Sequence, residues 1–178
     1  MDASRAAAAR GLAPWLVIAA IVVVADQLAK ARVQALLLVP GNTREVTGFF
    51  NLSLAYNRGA AFSFLNDAAG WQGPLFALVA VVASAVIIWV LAGHWRQRLL
   101  ASALALVLGG AVGNLVDRLR YGHVVDFLDF HWTWLDAVFP GGHFPAFNVA
   151  DSAITGGAIL LVLVQLQEMI RPAAQGKA

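Results

Sequence analysis

Cysteine is missing from all 178 residues. Its absence excludes disulfides, thiolate nucleophiles and cysteine metal sites together, and by itself says little about redox compartment. Charge is scarce as well: Asp, Glu, Lys and Arg supply 12% of the chain, and the formal net charge is only +2. The pI near 9.5 reflects that small basic excess. No basic run or aromatic-interleaved patch points to nucleic acid. Internal repeats and low-complexity tracts are also missing, so residues 1–178 read as a single membrane-embedded domain with no separable soluble part.

What remains is apolar. Hydrophobic residues make up 60% of the chain and mean hydropathy is +0.73, against roughly 45–50% apolar content in soluble domains. The chain is therefore read as an integral membrane protein. Crossing a bilayer takes about 20 helical residues, and residues 14–38, 73–93, 99–117 and 147–170 meet that length. The first run follows Arg5 and Arg10 like a secretory signal, but it continues past Asp26 and Lys30 without a convincing cleavage site, so a retained helix is expected.

Arg and Lys placement sets the expected orientation, because positive residues beside short loops stay in the cytoplasm. Arg5, Arg10, Arg96, Arg98, Arg171 and Lys177 flank one side, which places both termini inside. The other side receives the loops 39–72 and 118–146. Residues 44–64, "REVTGFFNLSLAYNRGAAFSF", mix β-branched, aromatic and polar positions and predict a small strand-rich cradle. In the second loop "FLDFHWTWLDAVF", with Trp132 and Trp134, suits an interfacial loop or helix at headgroup level. The expected fold is thus an all-α polytopic protein with four transmembrane helices and this extracytoplasmic cradle.

Ionisable groups at membrane depth are costly unless paired or used. Asp26 and Lys30, four apart in "VADQLAKARVQ", share a helical face and read first as a self-neutralising pair. Asn114, Asp117 and Arg118 fall within one turn at the end of the third span, where Gly109 and Gly113 suggest close helix packing. Asp126, flanked by Val124, Val125, Phe127 and Leu128, cannot easily be a solvated loop charge, and desolvation should raise its pKa. Asp151 opens the fourth span at the same membrane level, with Asn148 three residues before it. Two carboxylates sharing a site do not both ionise cheaply, so together they offer a general acid and a general base. The blander alternative makes Asp126 a turn residue and Asp151 a helix N-terminal charge.

Other chemistries fit less well. His123, His131 and His143 share a loop with Asp126 and Asp129, yet their spacing matches no metal-ligand motif. Ser63 and Ser152 lie in no nucleophile pattern. No metal and no cofactor are expected. A transporter or proton relay would continue polar residues through the spans, whereas the second and most of the fourth lack ionisable groups. A purely structural subunit leaves the polar cluster unexplained.

With "DQLAK", "NRGAAFS", "GNLVDR", "VVDF" and "FNVAD" in that order across nearly the whole chain, the sequence resembles the bacterial lipoprotein signal peptidases (signal peptidase II), aspartic peptidases of the inner membrane. The resemblance implies an endopeptidase cutting prolipoproteins just before a diacylglyceryl-modified cysteine, with Asp126 and Asp151 as catalytic dyad. It further implies that Asn57, Asn114, Arg118 and Asn148 position the substrate or the dyad, supported by Asp26, Lys30 and Asp117. Gly59, Ala60 and Ala61, small residues in the first outer loop, are expected to leave room for the lipid.

Overall fold

The computed structural model describes residues 2–59 and 71–170. Helices α1 (Asp2–Leu37), α2 (Gln72–His94), α3 (Arg98–Tyr121) and α4 (Val149–Ile170) correspond to the four apolar runs, and each contains a stretch long and apolar enough to cross a membrane. The runs fixed these helices because a continuous apolar segment of this length can satisfy its backbone in lipid only as a helix.

Helix ends differ from the expected ones for local reasons. The third helix runs to Tyr121 instead of stopping at 117, so Arg118 and Arg120 belong to it and not to the outer loop. Arg, Leu and Tyr all sustain a helix. Termination comes at Gly122, whose φ of 73° lies in the left-handed region and whose N–H bonds the Arg118 carbonyl. The fourth helix begins at Val149, two residues later than expected.

Helix α3 is the centre of the bundle. Half of its most apolar window is buried, against 6–11% for the other three, and it packs on α1, α2 and α4. Small residues make that possible. A side chain at Gly109 would lie 2.7 Å from the Ala19 carbonyl of α1, and one at Gly110 would collide with the Ala150 carbonyl of α4. At Gly113 it would meet Asp26 Oδ2 at 3.0 Å. Two helices, α1 and α4, therefore close onto one short stretch of α3.

The cradle is a three-stranded antiparallel sheet in the order β1-β2-β3, built from Thr43–Thr47, Phe50–Asn57 and Val124–Phe130. Strands in the first loop match the reading of residues 44–64 up to Asn57. Residues 60–70, and with them Ala60 and Ala61, lie outside the described residues. The third strand, Val124–Phe130, lies where the sequence predicts an outer loop, and it completes the sheet by pairing Asn57 with Val124 and Ala55 with Asp126. All five β1 residues are exposed, and Arg44 and Glu45 on this edge discourage further strand addition. Beneath the sheet, Leu54, Val125 and Phe127 pack on Val33 and Leu37 of α1, which anchors the cradle to the bundle. A short 3-10 turn, Thr133–Ala137, follows with Trp134 exposed, in keeping with an interfacial segment. At the far end of the bundle the indole N–H of Trp15 donates to the Trp95 carbonyl at 3.0 Å, so these two tryptophans share one level as an aromatic belt requires.

Candidate active site

Five stretches far apart in sequence converge where α1, α3, the start of α4 and the cradle meet. Helix α1 contributes Asp26, Gln27 and Lys30; α3 contributes Asn114, Asp117 and Arg118; β2 ends at Asn57; β3 carries Asp126; and α4 opens with Asn148 and Asp151.

The deepest layer is ionic. Lys30 Nζ lies 2.8 Å from Asp26 Oδ2 and 2.7 Å from Asp117 Oδ2, and it donates to Asn114 Oδ1 at 3.0 Å. The i, i+4 pair read from sequence is therefore real, but it is not self-contained: a second carboxylate shares the ammonium. All three charged groups are at most 2% exposed. Gln27 closes the arrangement by donating to Asp117 Oδ1 at 2.8 Å and to Asp26 Oδ2 at 3.2 Å.

This layer holds the chain on which Asp126 and Asp151 stand. Asp117 Oδ2 accepts the N–H of Val125 at 3.1 Å, and Asp26 Oδ1 accepts the N–H of Ala150 at 2.9 Å. Each is the residue immediately before one of the two aspartates. Lys30 contacts both anchors, so one ammonium links the two segments that carry Asp126 and Asp151.

Asn148 occupies the space between them, fully buried. It is the N-cap of α4: its Oδ1 accepts the Asp151 N–H at 2.8 Å while Asp151 Oδ2 accepts the Asn148 N–H at 3.2 Å, the reciprocal pattern of a capping box. Its Nδ2 donates to Asp126 Oδ1 at 2.7 Å. One side chain thus touches both carboxyl residues. Asn57 donates to Asp126 Oδ2 at 3.1 Å, and Asn114 donates to Asp151 Oδ1 at 2.7 Å. Arg118 bonds the Gly59 carbonyl at 3.2 Å, and Gly59 N–H in turn bonds Asn57 Oδ1 at 2.9 Å.

Asp126 is 3% exposed. Burial, reinforced by the Asp151 charge, pushes its carboxyl up to about 7, against the opposing hydrogen bonds from Asn57 and Asn148 and the charge of Lys30. The pair consequently keeps a proton near neutral pH. The turn-residue alternative does not describe Asp126, which sits mid-strand. Asp151 does cap α4, so the bland reading holds for half of its carboxylate and the bond to Asn114 engages the other half.

Asp129 belongs to a different cluster. Three residues along a strand reverse the face, and Asp129 bonds Asn51 Nδ2 at 3.2 Å and His143 Nδ1 at 2.8 Å. His131 stacks on His143, and His123 stacks on Tyr56. Among the described residues no group of His, Asp and Glu has the geometry of a metal centre.

Every described residue expected at the site is brought together there: Asn57, Gly59, Asn114, Asp117, Arg118, Asp126, Asn148, Asp151, Asp26 and Lys30. Gln27 was missed. Its signal was present, an amide beside a carboxylate inside an apolar span, where polar groups need partners.

A four-helix membrane protein with two carboxyl residues bridged by an asparagine at the junction of bundle and cradle has the architecture of a membrane-embedded acid–base enzyme. Residues 18–167 match the family described as Signal peptidase (SPase) II, and the chain belongs to that family. It is accordingly a multi-pass bacterial membrane protein and a protease. Relatives named lipoprotein signal peptidase include one from Paraburkholderia phytofirmans, 55% identical over 94% of this chain and 93% of its own length. Another, from Ralstonia nicotianae, is 49% identical over 94% and 92%. A solved bacterial membrane enzyme superposes with a TM-score of 0.77 at 27% identity, covering 93% of this chain and 95% of its own. The transporter reading has no support in these findings.

Proposed function

We propose that the chain removes signal peptides from prolipoproteins at the outer face of the bacterial inner membrane, with Asp126 and Asp151 as the catalytic dyad. Signal-peptide removal follows from the family; the assignment of residues rests on Asn148, whose side-chain NH₂ donates to the Asp126 carboxylate while its backbone N–H donates to the Asp151 carboxylate. Asp126 holds the shared proton at neutral pH and Asp151, held by Asn114, acts as base. Asp151 takes a proton from water, the water oxygen bonds to the scissile carbonyl carbon, and the Asp126 proton passes to the carbonyl oxygen. The gem-diol then collapses: the C–N bond breaks, the new proton on Asp151 goes to the leaving amine, and one gem-diol hydroxyl returns its proton to Asp126 as the carbonyl of the product acid re-forms. Asn57 and Arg118 position the substrate through the Gly59 turn.

Both termini lie in the cytoplasm in this reading, and the whole chain works as one domain. The peptide bond cut is the one before a diacylglyceryl-cysteine, because a dyad at a membrane boundary needs an anchor to fix depth, and burying acyl chains contributes about 0.8 kcal/mol per methylene. Gly59, Ala60 and Ala61 leave room for that anchor. Purified protein incubated with lipidated and unlipidated precursor in one detergent tests this: cleavage of the lipidated form should be faster by at least about a hundredfold. Equal rates would defeat the lipid requirement. Activity should also survive exhaustive chelation; loss restored by added zinc would revive the histidines.

The dyad predicts a pH profile. Activity should fall as pH rises through about 7, where Asp126 ionises and the shared proton is lost. Stability should change in the same range. The folded-state carboxyl titrates above its ordinary value of 3.8, so the unfolded chain ionises first and the native state is progressively disfavoured between about pH 4 and 7 and flat above. A thermal-unfolding series that rises over that interval in the parent, or a cleavage rate unchanged from pH 6 to 9, contradicts the assignment.

A further inference from the structure

On the cradle side of the bundle α2 and α3 diverge around a cavity of about 520 Å³. Arg58, Gln72, Pro74, Arg118, Leu119 and Tyr121 line it. None of the signal-peptidase chemistry derived above uses Arg58, Gln72 or Tyr121.

The polar half of the wall is built for an anion. Two guanidinium groups face the cavity, and a third, Arg120, lies over the Tyr121 ring at 5.3 Å. Arg118 Nε is buried and has no hydrogen-bond partner among the described residues, although both terminal nitrogens of the same guanidinium are engaged by the Asn114 and Gly59 carbonyls. The N-terminus of α2, a helix of 23 residues, opens into the same space through Gln72 and Gly73, and its N-cap residue Trp71 makes no side-chain capping bond. Helix N-termini favour anions. Three arginines at the cradle end of a transmembrane helix and its adjoining loop also run against the positive-inside tendency of the chain.

The other half is apolar. Pro74, Ala77 and Leu119 complete the wall. Leu119 is 71% exposed, and Leu75 and Leu78 are exposed along the neighbouring face of α2. Anionic recognition at the top and an apolar track running down the helix faces describe an amphiphile. A free peptide carboxylate has no use for the track. A diacylglyceryl group without phosphate has no use for the arginines.

We propose that this cavity binds the phosphate group of a membrane phospholipid from the leaflet on the cradle side. Guanidinium groups match phosphate oxygens in a forked geometry, with Arg58 reaching from the β2 exit and Arg118 Nε from α3, while the acyl chains follow Leu119, Leu75 and Leu78. The site shares Arg118 with the peptidase reading but concerns binding and not turnover, so its failure is read in a lipid-binding measurement and the failure of the peptidase reading in a cleavage assay.

Native mass spectrometry of the full detergent-solubilised chain tests it by titration with dimyristoyl phosphatidylglycerol, with dimyristoylglycerol, which keeps the chains and lacks the phosphate, and with glycerol phosphate, which keeps the phosphate and lacks the chains. Phosphatidylglycerol should bind at least about tenfold more tightly than dimyristoylglycerol, and glycerol phosphate should not displace it. Arg58→Gln should weaken phosphatidylglycerol about tenfold, while Arg44→Gln, on the exposed edge strand, should change nothing. Equal binding of the two lipids, an unaffected Arg58→Gln, or an equal loss in Arg44→Gln, which would mark diffuse surface charge, overturns the site. Efficient displacement by glycerol phosphate would mean that a free phosphate is the ligand and that the lipid assignment is wrong.

Discussion

Asp126→Asn and Asp151→Asn should each abolish cleavage, with a loss on the order of 10⁴-fold in turnover, while the protein still inserts and folds. An amide can neither take a proton from water nor share one across the pair. The two variants differ in what they disturb. At Asp126 both carboxyl oxygens accept amide donors, from Asn148 and Asn57, so an Asn there turns its own NH₂ towards one of them. At Asp151 the two oxygens accept from the Asn114 amide and from the Asn148 N–H that caps α4, so an Asn there turns its NH₂ towards one of these donors, and where that is the Asn148 N–H part of the capping contribution of about 1 kcal/mol is lost. Activity must therefore be measured on the folded fraction, isolated by size-exclusion chromatography. Asp129→Asn should be milder, because that side chain serves Asn51 and His143 on the other face of β3. Asp136→Asn should be milder again, since Asp136 only accepts the exposed Gly141 N–H. Substantial turnover in either dyad variant, or a dead Asp129→Asn, would move the chemistry elsewhere.

The second large effect is expected at Lys30. Lys30→Met leaves Asp26 and Asp117 facing one another with only Gln27 between them, and breaking a buried ion pair from one side costs about 3–5 kcal/mol. Asp26→Ala should do less damage, because Lys30 keeps Asp117 at 2.7 Å. For the same reason a joint loss of Asp26 and Lys30 should not restore the parent, as an isolated pair would: Asp117 remains charged and buried. Replacing all three as Asp26→Asn, Lys30→Met and Asp117→Asn should recover part of the stability, since amide oxygens can still accept the Ala150 and Val125 N–H groups and no charge is left unpaired. Thermal unfolding in one detergent ranks these variants. A Lys30→Met protein as stable as the parent would show that the triad does not hold the fold. Reduced kcat with unchanged KM in the folded Asp26→Ala protein would show that anchoring Ala150 sets the position of Asp151.

The wider layout follows from local properties of the chain. Four spans were legible because hydrophobicity over 20 or so residues decides a helix in lipid without reference to anything distant. Family motifs marked ten of the residues now found together, and the placement of Asp126 and Asp151 at one membrane level needed only their positions relative to span ends. Ala60 and Ala61 carry the same sequence signal and lie outside the described residues.

What the sequence could not decide was pairing across distance. Strand β3 meets β2 only because Asn57 and Val124, 67 positions apart, are aligned in the sheet, and no local periodicity in "VVDFLDF" announces a partner. Once that strand exists, its two-residue repeat puts Asp126 and Asp129 on opposite faces and separates their roles. The Lys30 network is of the same kind: the i, i+4 relation with Asp26 is written in one helix, but the 2.7 Å contact with Asp117 depends on Gly109 and Gly113 letting α1 and α3 close together. Sequence determined which groups were available and at what depth; helix packing and strand register determined which of them are brought together, because hydrogen bonds of about 3 Å respond to position far more steeply than hydrophobic burial does.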